Sequence, residues 1–346
     1  MDLPSSLPVD HQPCWPFRPH PAVRHPDVQT LLARRLPAGL LDVRAIERPV
    51  LVDAGPDQSG YAPGQTVRLL GYYTPQCSEG AARGLVLLLH GWEGCSHSAY
   101  NLICTDALLR AGYDVFRLNL RDHGPGYHVD PHSLNRGVFM GTLIDEVECA
   151  VHQVAALAHD RPFFIVGASM GGNFALRLAG RHAHAPIHHL ARVVAVDPAI
   201  NPARTTDALD RHRLYLRYFR NRWLHSLRAK QRHFPDSYDF QPLAAIPSVR
   251  AMTEWLVSRY TEYATADDYF RAYAVTDATL AELATPVTIV TSRDDKVVPV
   301  VDFETLPAHP LLDLRLQPYG GHVGYVDILP FRHRMPCMLL TVLEDA

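Results

Sequence analysis

Phe163-Phe164-Ile165-Val166-Gly167-Ala168-Ser169-Met170-Gly171-Gly172 is the stretch on which the reading of this chain turns. Its first half is a short continuous apolar run, the pattern of a strand buried on both faces. Its second half sets one serine among three glycines and an alanine, and Met170–Arg181 then reads as an amphipathic helix. Residues 167–171 are therefore G-x-S-x-G in a strand–turn–helix context. A serine on so tight a turn takes a strained backbone conformation, and bulky neighbours two residues away would collide with it. The turn lifts the hydroxyl above the sheet, and the new helix aims its free N–H groups at the same place.

Outward from this stretch the chain alternates strand and helix patterns. Upstream, 67–73 and 85–90 read as strands, Ser98–Arg110 as a helix, 113–120 as a strand and Gly141–His159 as a helix. Downstream, 191–198, 287–292 and 312–319 read as strands and Phe331–Leu343 as a closing helix. Strands apolar on both faces that alternate with helices predict a mostly parallel, doubly wound α/β sheet. The beat breaks once. Residues 200–285 carry long helical patterns without a core strand and read as an inserted helical cap, leaving 66–199 and 286–346 as the core. Residues 1–65, with Pro4, Pro8, Pro13, Pro16, Pro19, Pro21 and Pro26, read as an irregular arm with one short helix near 28–36.

A nucleophilic serine needs a base, and the base needs an acid to orient it. Gly320-Gly321-His322-Val323-Gly324 follows the last predicted strand, and Ser292-Arg293-Asp294-Asp295-Lys296 follows the one before. Both lie beyond the carboxyl ends of strands, where open α/β sheets build their sites. Ser169, Asp295 and His322 are the catalytic candidates, in the chain order Ser…Asp…His. Asp294 competes with Asp295 and is assigned to the turn; Asp197, after the strand at 191–198, is a third candidate. His90-Gly91-Trp92-Glu93-Gly94 follows the strand at 85–90, where a second oxyanion donor belongs. The backbone N–H groups of Trp92 and Met170 are the expected pair, and losing one such donor typically costs about 10²–10³ in rate. His90 itself is expected to tie the loop together.

The segments HPDVQT (25–30), HGWEG (90–94), NLRDHG (119–124), GASMGG (167–172), SRDDKVVP (292–299) and GGHVGYV (320–326) resemble the YheT-like branch of the α/β-hydrolases, from about Pro16 to the end. That branch groups bacterial hydrolases with monoacylglycerol lipases and medium-chain ethyl-ester synthases. The resemblance implies an α/β-hydrolase fold and hydrolysis of short- to medium-chain or monoacylglycerol-like esters through an acyl-serine. It also implies, as an alternative, acyl transfer to an alcohol by the same three residues. The chain departs from the branch where an Arg-Gly step is replaced by Arg121-Asp122-His123, and in a shortened approach to Asp268-Tyr269-Phe270. A catalytically inactive hydrolase-fold binding protein is the rival class. The expected partner is a small-molecule acyl ester; the chemistry requires no cofactor and no metal, and the sequence leaves the oligomeric state open.

Composition narrows the remaining classes. A net charge of −3 gives no global positive field to hold nucleic acid, so none is expected. The opening MDLPSSLPVDHQ lacks the form of a secretory signal, and no apolar run reaches the about 18–20 residues that span a bilayer. Cys14, Cys77, Cys95, Cys104, Cys149 and Cys337 are scattered, which predicts reduced thiols and a cytoplasmic protein. His182, His184, His188 and His189 are expected on a solvated loop, without a carboxylate or cysteine to complete a metal site. Arg211–Phe234 is basic, with Leu216, Phe219, Trp223 and Leu227 at helical spacing. It reads as a cap helix with a solvated arginine face, peripheral membrane contact being its second reading.

Overall fold

The computed structural model describes residues 14–76 and 80–345. The leading MDLPSSLPVDHQ with Pro4 and Pro8, together with Pro13 and Cys77, lies outside them. Continuous apolar runs become strands β3 (Leu85–Leu89), β4 (Asp114–Leu118), β5 (Phe163–Ala168) and β7 (Val287–Ser292), every residue of which is buried. With β1 (Arg48–Pro56), β2 (Thr66–Thr74), β6 (Leu190–Val196) and β8 (Leu312–Gln317) they form one eight-stranded sheet, ordered β1-β2-β4-β3-β5-β6-β7-β8. β2 runs antiparallel to β1 and β4, and the rest are parallel. This is the mostly parallel, doubly wound sheet that the alternating pattern predicts, in the α/β-hydrolase arrangement that the resemblance implies.

Helices cover both faces. α1 (Pro26–Leu32) and α2 (Val43–Ile46) belong to the N-terminal arm. α3 (Ala99–Arg110), α4 (Ile144–Ala156) and α5 (Met170–Arg181) follow β3, β4 and β5. α4 opens with Asp145 and Glu146, whose charge suits a helix N-terminus. Between β6 and β7 come α6 (Pro202–Arg211), α7 (Arg213–His233), α8 (Val249–Tyr260), α9 (Ala266–Ala272) and α10 (Asp277–Ala281). α7, α8 and α9 share a separate core, in which Leu224, Phe240, Met252, Leu256 and Phe270 pack with Val138 and Met140 of the sheet-end loops, while Leu209 of α6 and Leu280 of α10 join the sheet core. Each such buried side chain stabilises by about 1.5–3 kcal/mol. α11 (Val301–Glu304) and α12 (Met335–Glu344) complete the chain, with a small hairpin of β9 (Val326–Asp327) and β10 (Arg332–His333).

Two features differ from the sequence expectation. Residues 48–56 of the arm are not irregular: they form β1, an edge strand paired with β2 from Arg48↔Tyr73 to Pro56↔Thr66. An edge strand buries one face only, here Val52 and Ala54, and tolerates Pro49 and Pro56, so it lacks the apolar run of a central strand. Cys14 and Cys337 are not separate thiols but form a disulfide, their Cα atoms 6.2 Å apart across 323 residues. It joins the arm to α12. Cys95, Cys104 and Cys149 are free. Among the described residues no helix is long and apolar enough to cross a membrane.

Candidate active site

β5 delivers Ser169 to the end of the sheet, and α5 starts at the next residue. Ser169 holds φ 53° and ψ −116°, the strained turn that the motif demands. The turn is possible because α5 presses against the neighbouring strand: a Cβ on Gly171 would enter the Leu89 carbonyl. Leu89 ends β3, so the same contact brings the 90–94 loop beside Ser169, with Gly91 near its Cβ.

The three catalytic candidates form a hydrogen-bonded chain. His322 Nδ1 lies 2.8 Å from Asp295 Oδ2, and His322 Nε2 lies 3.0 Å from Ser169 Oγ. With Nδ1–H donating to the carboxylate, Nε2 is left as the acceptor for the serine hydroxyl. Asp295 is held by the N–H groups of Val297 (2.6 Å) and Val298 (3.1 Å), which donate to Oδ1. Burial opposes the charged imidazolium of His322, but the charge and hydrogen bond of Asp295 outweigh it and raise the pKa above the usual value.

The competing carboxylates have other partners. Asp294 Oδ1 accepts from Gly321 N–H at 2.9 Å and so caps the histidine loop. Asp197 accepts from Val323 N–H at 2.7 Å and Tyr325 OH at 2.9 Å, without a hydrogen bond to the imidazole. Burial, and then the Asp295 charge, push Asp197 up to about 7. Asp197, Asp295 and His322 form the one cluster among the described residues whose ligand atoms converge as a metal site would. The His182–His189 run does not converge: His184 pairs with Glu282 at 2.6 Å, and His188 packs edge-on against His189.

The two proposed oxyanion donors flank the nucleophile. Met170 is the first residue of α5, where an N–H has no intrahelical acceptor, and Trp92 N–H bonds to nothing among the described residues. Buttresses fix the Trp92 loop. Tyr100 OH accepts from Gly91 N–H at 2.8 Å, and His123 Nε2 accepts from Glu93 N–H at 3.2 Å. His90 accepts from Leu120 N–H at 3.0 Å and is fully buried, its pKa pushed down to about 3 by burial, so it serves the loop as a neutral ring. α7 clamps the loop from above. Phe219 stacks on the Trp92 ring at 5.5 Å, Trp223 meets it edge-on, Arg222 donates to the Glu93 carbonyl and Ser226 to its carboxyl.

The arm supplies residues that spacing alone did not reveal. Thr30 Oγ1 accepts from His322 N–H at 2.9 Å. The buried Gln29 amide donates to Val23 O and Val326 O and accepts from Val326 N–H. HPDVQT thus grips GGHVGYV, two motifs nearly 300 residues apart. Gly324 has to be glycine because a Cβ there would run into Gly320 O and the Gln29 side chain. The quoted Q-T pair was the available signal; its partner was not.

Two spaces meet at Ser169. One, about 70 Å³, lies between the sheet end and the helices that follow β6, with no charged side chain in its lining, where Phe139, Met140, Leu209, Leu256, Phe270 and Tyr273 stand. The other is an open groove of about 560 Å³ walled by the arm, the 90–94 loop and α7.

Residues 80–309 match the family model for serine aminopeptidase, S33, hydrolases, spanning Ser169 and Asp295. The chain belongs to this family. Phospholipase ABHD3 of Bos taurus is 27% identical to this S33-family chain over 258 residues, 72% of this chain and 60% of the relative. The Homo sapiens phospholipase ABHD3 is 26% identical over the same shares. The chain thus spans about 60% of the length of these relatives. The Pyrococcus furiosus esterase Pf2001 superposes with a TM-score of 0.53 at 14% identity, covering 86% of this chain and 90% of that one, a likeness of fold.

Proposed function

We propose that this S33-family chain is a serine carboxylic-ester hydrolase of the YheT-like branch, acting on short- to medium-chain acyl esters through an acyl-serine. The observation that carries the reading is the continuous chain Ser169–His322–Asp295, set beside a small pocket without charged walls. The acyl chain enters that pocket and the alcohol part rests in the open groove.

His322 Nε2 takes the Ser169 proton as Oγ attacks the carbonyl carbon, and Asp295 stabilises the imidazolium that forms. The oxygen charge is held by the Trp92 and Met170 N–H groups, neither of which has an acceptor among the described residues. Collapse of the tetrahedral species expels the alcohol, which leaves with the proton from His322. Water then gives its proton to His322 and attacks the acyl-serine, releasing the acid and restoring the Ser169 hydroxyl. An ester rather than an amino-terminal peptide bond is proposed because the pocket offers no carboxylate to pair with a peptide's amino terminus. The "phospholipase" in the relatives' names supports the same ester chemistry.

The test is a p-nitrophenyl ester series of increasing acyl length, run on wild type and Ser169→Ala. Turnover in wild type, lost by more than about 10³-fold in Ser169→Ala, supports the reading. Equal, slow release by both proteins discards it.

A further inference from the structure

We propose that the open groove beside Ser169 is a subsite for a phosphate-bearing alcohol part, so that the favoured ester is one whose leaving group is a phosphate monoester. The inference rests on the ester-hydrolase reading for its placement of the alcohol side. Its own warrant is charge. Three guanidinium groups line the groove from three different elements: Arg34 just after α1, Arg44 in α2 and Arg222 in α7. All three are exposed, and none forms an ion pair among the described residues. Arg34 lies over the Tyr218 ring at 5.0 Å, which fixes its position on the wall and leaves its charge unneutralised. Arg222 spends one donor on the Glu93 carbonyl at 2.7 Å and forms no ion pair, although the Glu93 carboxyl lies close enough to feel its charge.

No carboxylate in the groove answers these cations. Glu93 is the one acidic side chain in its lining, and it is buried, hydrogen-bonded to Ser226 and held toward its neutral form by burial. Glu47 lies behind His97, but it is already paired with Arg117. α7 carries seven Arg and Lys residues and no Asp or Glu, in a chain whose net charge is −3. Of these, Arg222 is the one that lines the groove, where it joins Arg34 and Arg44, while the pocket on the other side of Ser169 has no charged side chain in its lining. Planar guanidinium forks carried on several walls of one groove suit a phosphate better than a neutral hydroxyl. A neutral glycerol would leave all three cations without a partner.

The experiment uses the full chain and its Ser169→Ala form, with a binding arm and a turnover arm. In calorimetry, octyl phosphate should bind about tenfold or more tightly than octyl glucoside, a neutral amphiphile of the same chain length. The difference should shrink as salt is raised and fall to near unity in Arg34→Gln/Arg44→Gln, whose folding is checked by its thermal midpoint. Arg34→Lys/Arg44→Lys should keep part of the preference. In turnover, kcat/KM for 1-octanoylglycerol 3-phosphate should exceed that for 1-octanoylglycerol by about tenfold. That ratio, read within each protein, should collapse in the glutamine double variant. Equal binding of the two amphiphiles, or a preference untouched in the double variant, overturns the proposal. Inorganic phosphate binding as tightly as octyl phosphate also overturns it as a leaving-group subsite and makes the groove a site for free phosphate. If p-nitrophenyl octanoate is cleaved while the phosphate ester is not preferred, only this inference fails. If no ester is cleaved, the function reading fails and the binding arm alone decides the groove.

Discussion

At Asp295 the chemistry can be read through pH. His322 must be neutral to accept the Ser169 proton, and the Asp295 carboxylate stabilises its charged form, raising its pKa. The rate therefore rises with pH as His322 loses its proton. Asp295→Asn keeps the shape but removes the charge, so His322 gives up its proton more readily. We expect the limb of the kcat/KM profile to move to lower pH while the plateau falls by about 10²–10⁴. A limb at unchanged pH would mean that another carboxylate governs His322, with Asp197 the nearest alternative. Sequence selected Asp295 over Asp294 and Asp197, all three of which stand at strand ends. It could not show the contact with the imidazole itself, because that depends on where a loop 27 residues further along the chain comes to rest.

At the scale of elements, the histidine loop is held by a helix that sequence placed in an irregular arm. Thr30, in α1, accepts from His322 N–H, and Gln29 bridges Val23 and Val326. Thr30→Val preserves the shape of the side chain and leaves that N–H without its acceptor, a loss of about 1–3 kcal/mol when the group is buried. The expected result is kcat lowered by about tenfold or more with KM nearly unchanged, measured on a p-nitrophenyl ester. A change confined to KM would place Thr30 in substrate binding instead. A short helix was expected near 28–36, and it lies at Pro26–Leu32, with Pro26 suited to its first turn. Its role was not legible, because a helix's hydrogen-bonding partners lie outside the window in which periodicity is read. β1 illustrates the same limit: one buried face and two prolines disguise a strand that pairs in register over most of its length.

Over the whole molecule, α7 couples the helical insertion to the sheet. Its Lys230, 1% exposed, donates to Asp122 Oδ1 at 2.7 Å, and its Phe219, Arg222, Trp223 and Ser226 grip the Trp92–Glu93 loop. Truncating one member of a buried ion pair strands the other. Lys230→Ala should therefore lower stability by about 3–5 kcal/mol in chemical unfolding. Lys230→Ala/Asp122→Ala should cost clearly less than the sum of the two single variants, since the second substitution removes the stranded charge. Strictly additive losses would show that the pair does not couple insertion to core. Nothing in the amino-acid order announces this pairing: Asp122 sits in the replaced Arg-Gly step and Lys230 in a basic run, 108 residues apart.

What the amino-acid order determined by itself is what neighbouring residues decide. Apolar runs and helical periods set the alternating strands and helices, and small residues around Ser169 set the tight turn. The order Ser169, Asp295, His322 set which strand ends carry the candidates. Those signals are local because backbone geometry and face burial are local. The tertiary structure alone decided the rest: that Asp197 turns to Val323 and Tyr325, that Gln29 and Thr30 hold the histidine loop, and that Cys14 reaches Cys337. It also decided that arginines from the arm and α7 face one groove. These are contacts between groups tens to hundreds of residues apart, and they form only when burial of the shared core brings their elements together.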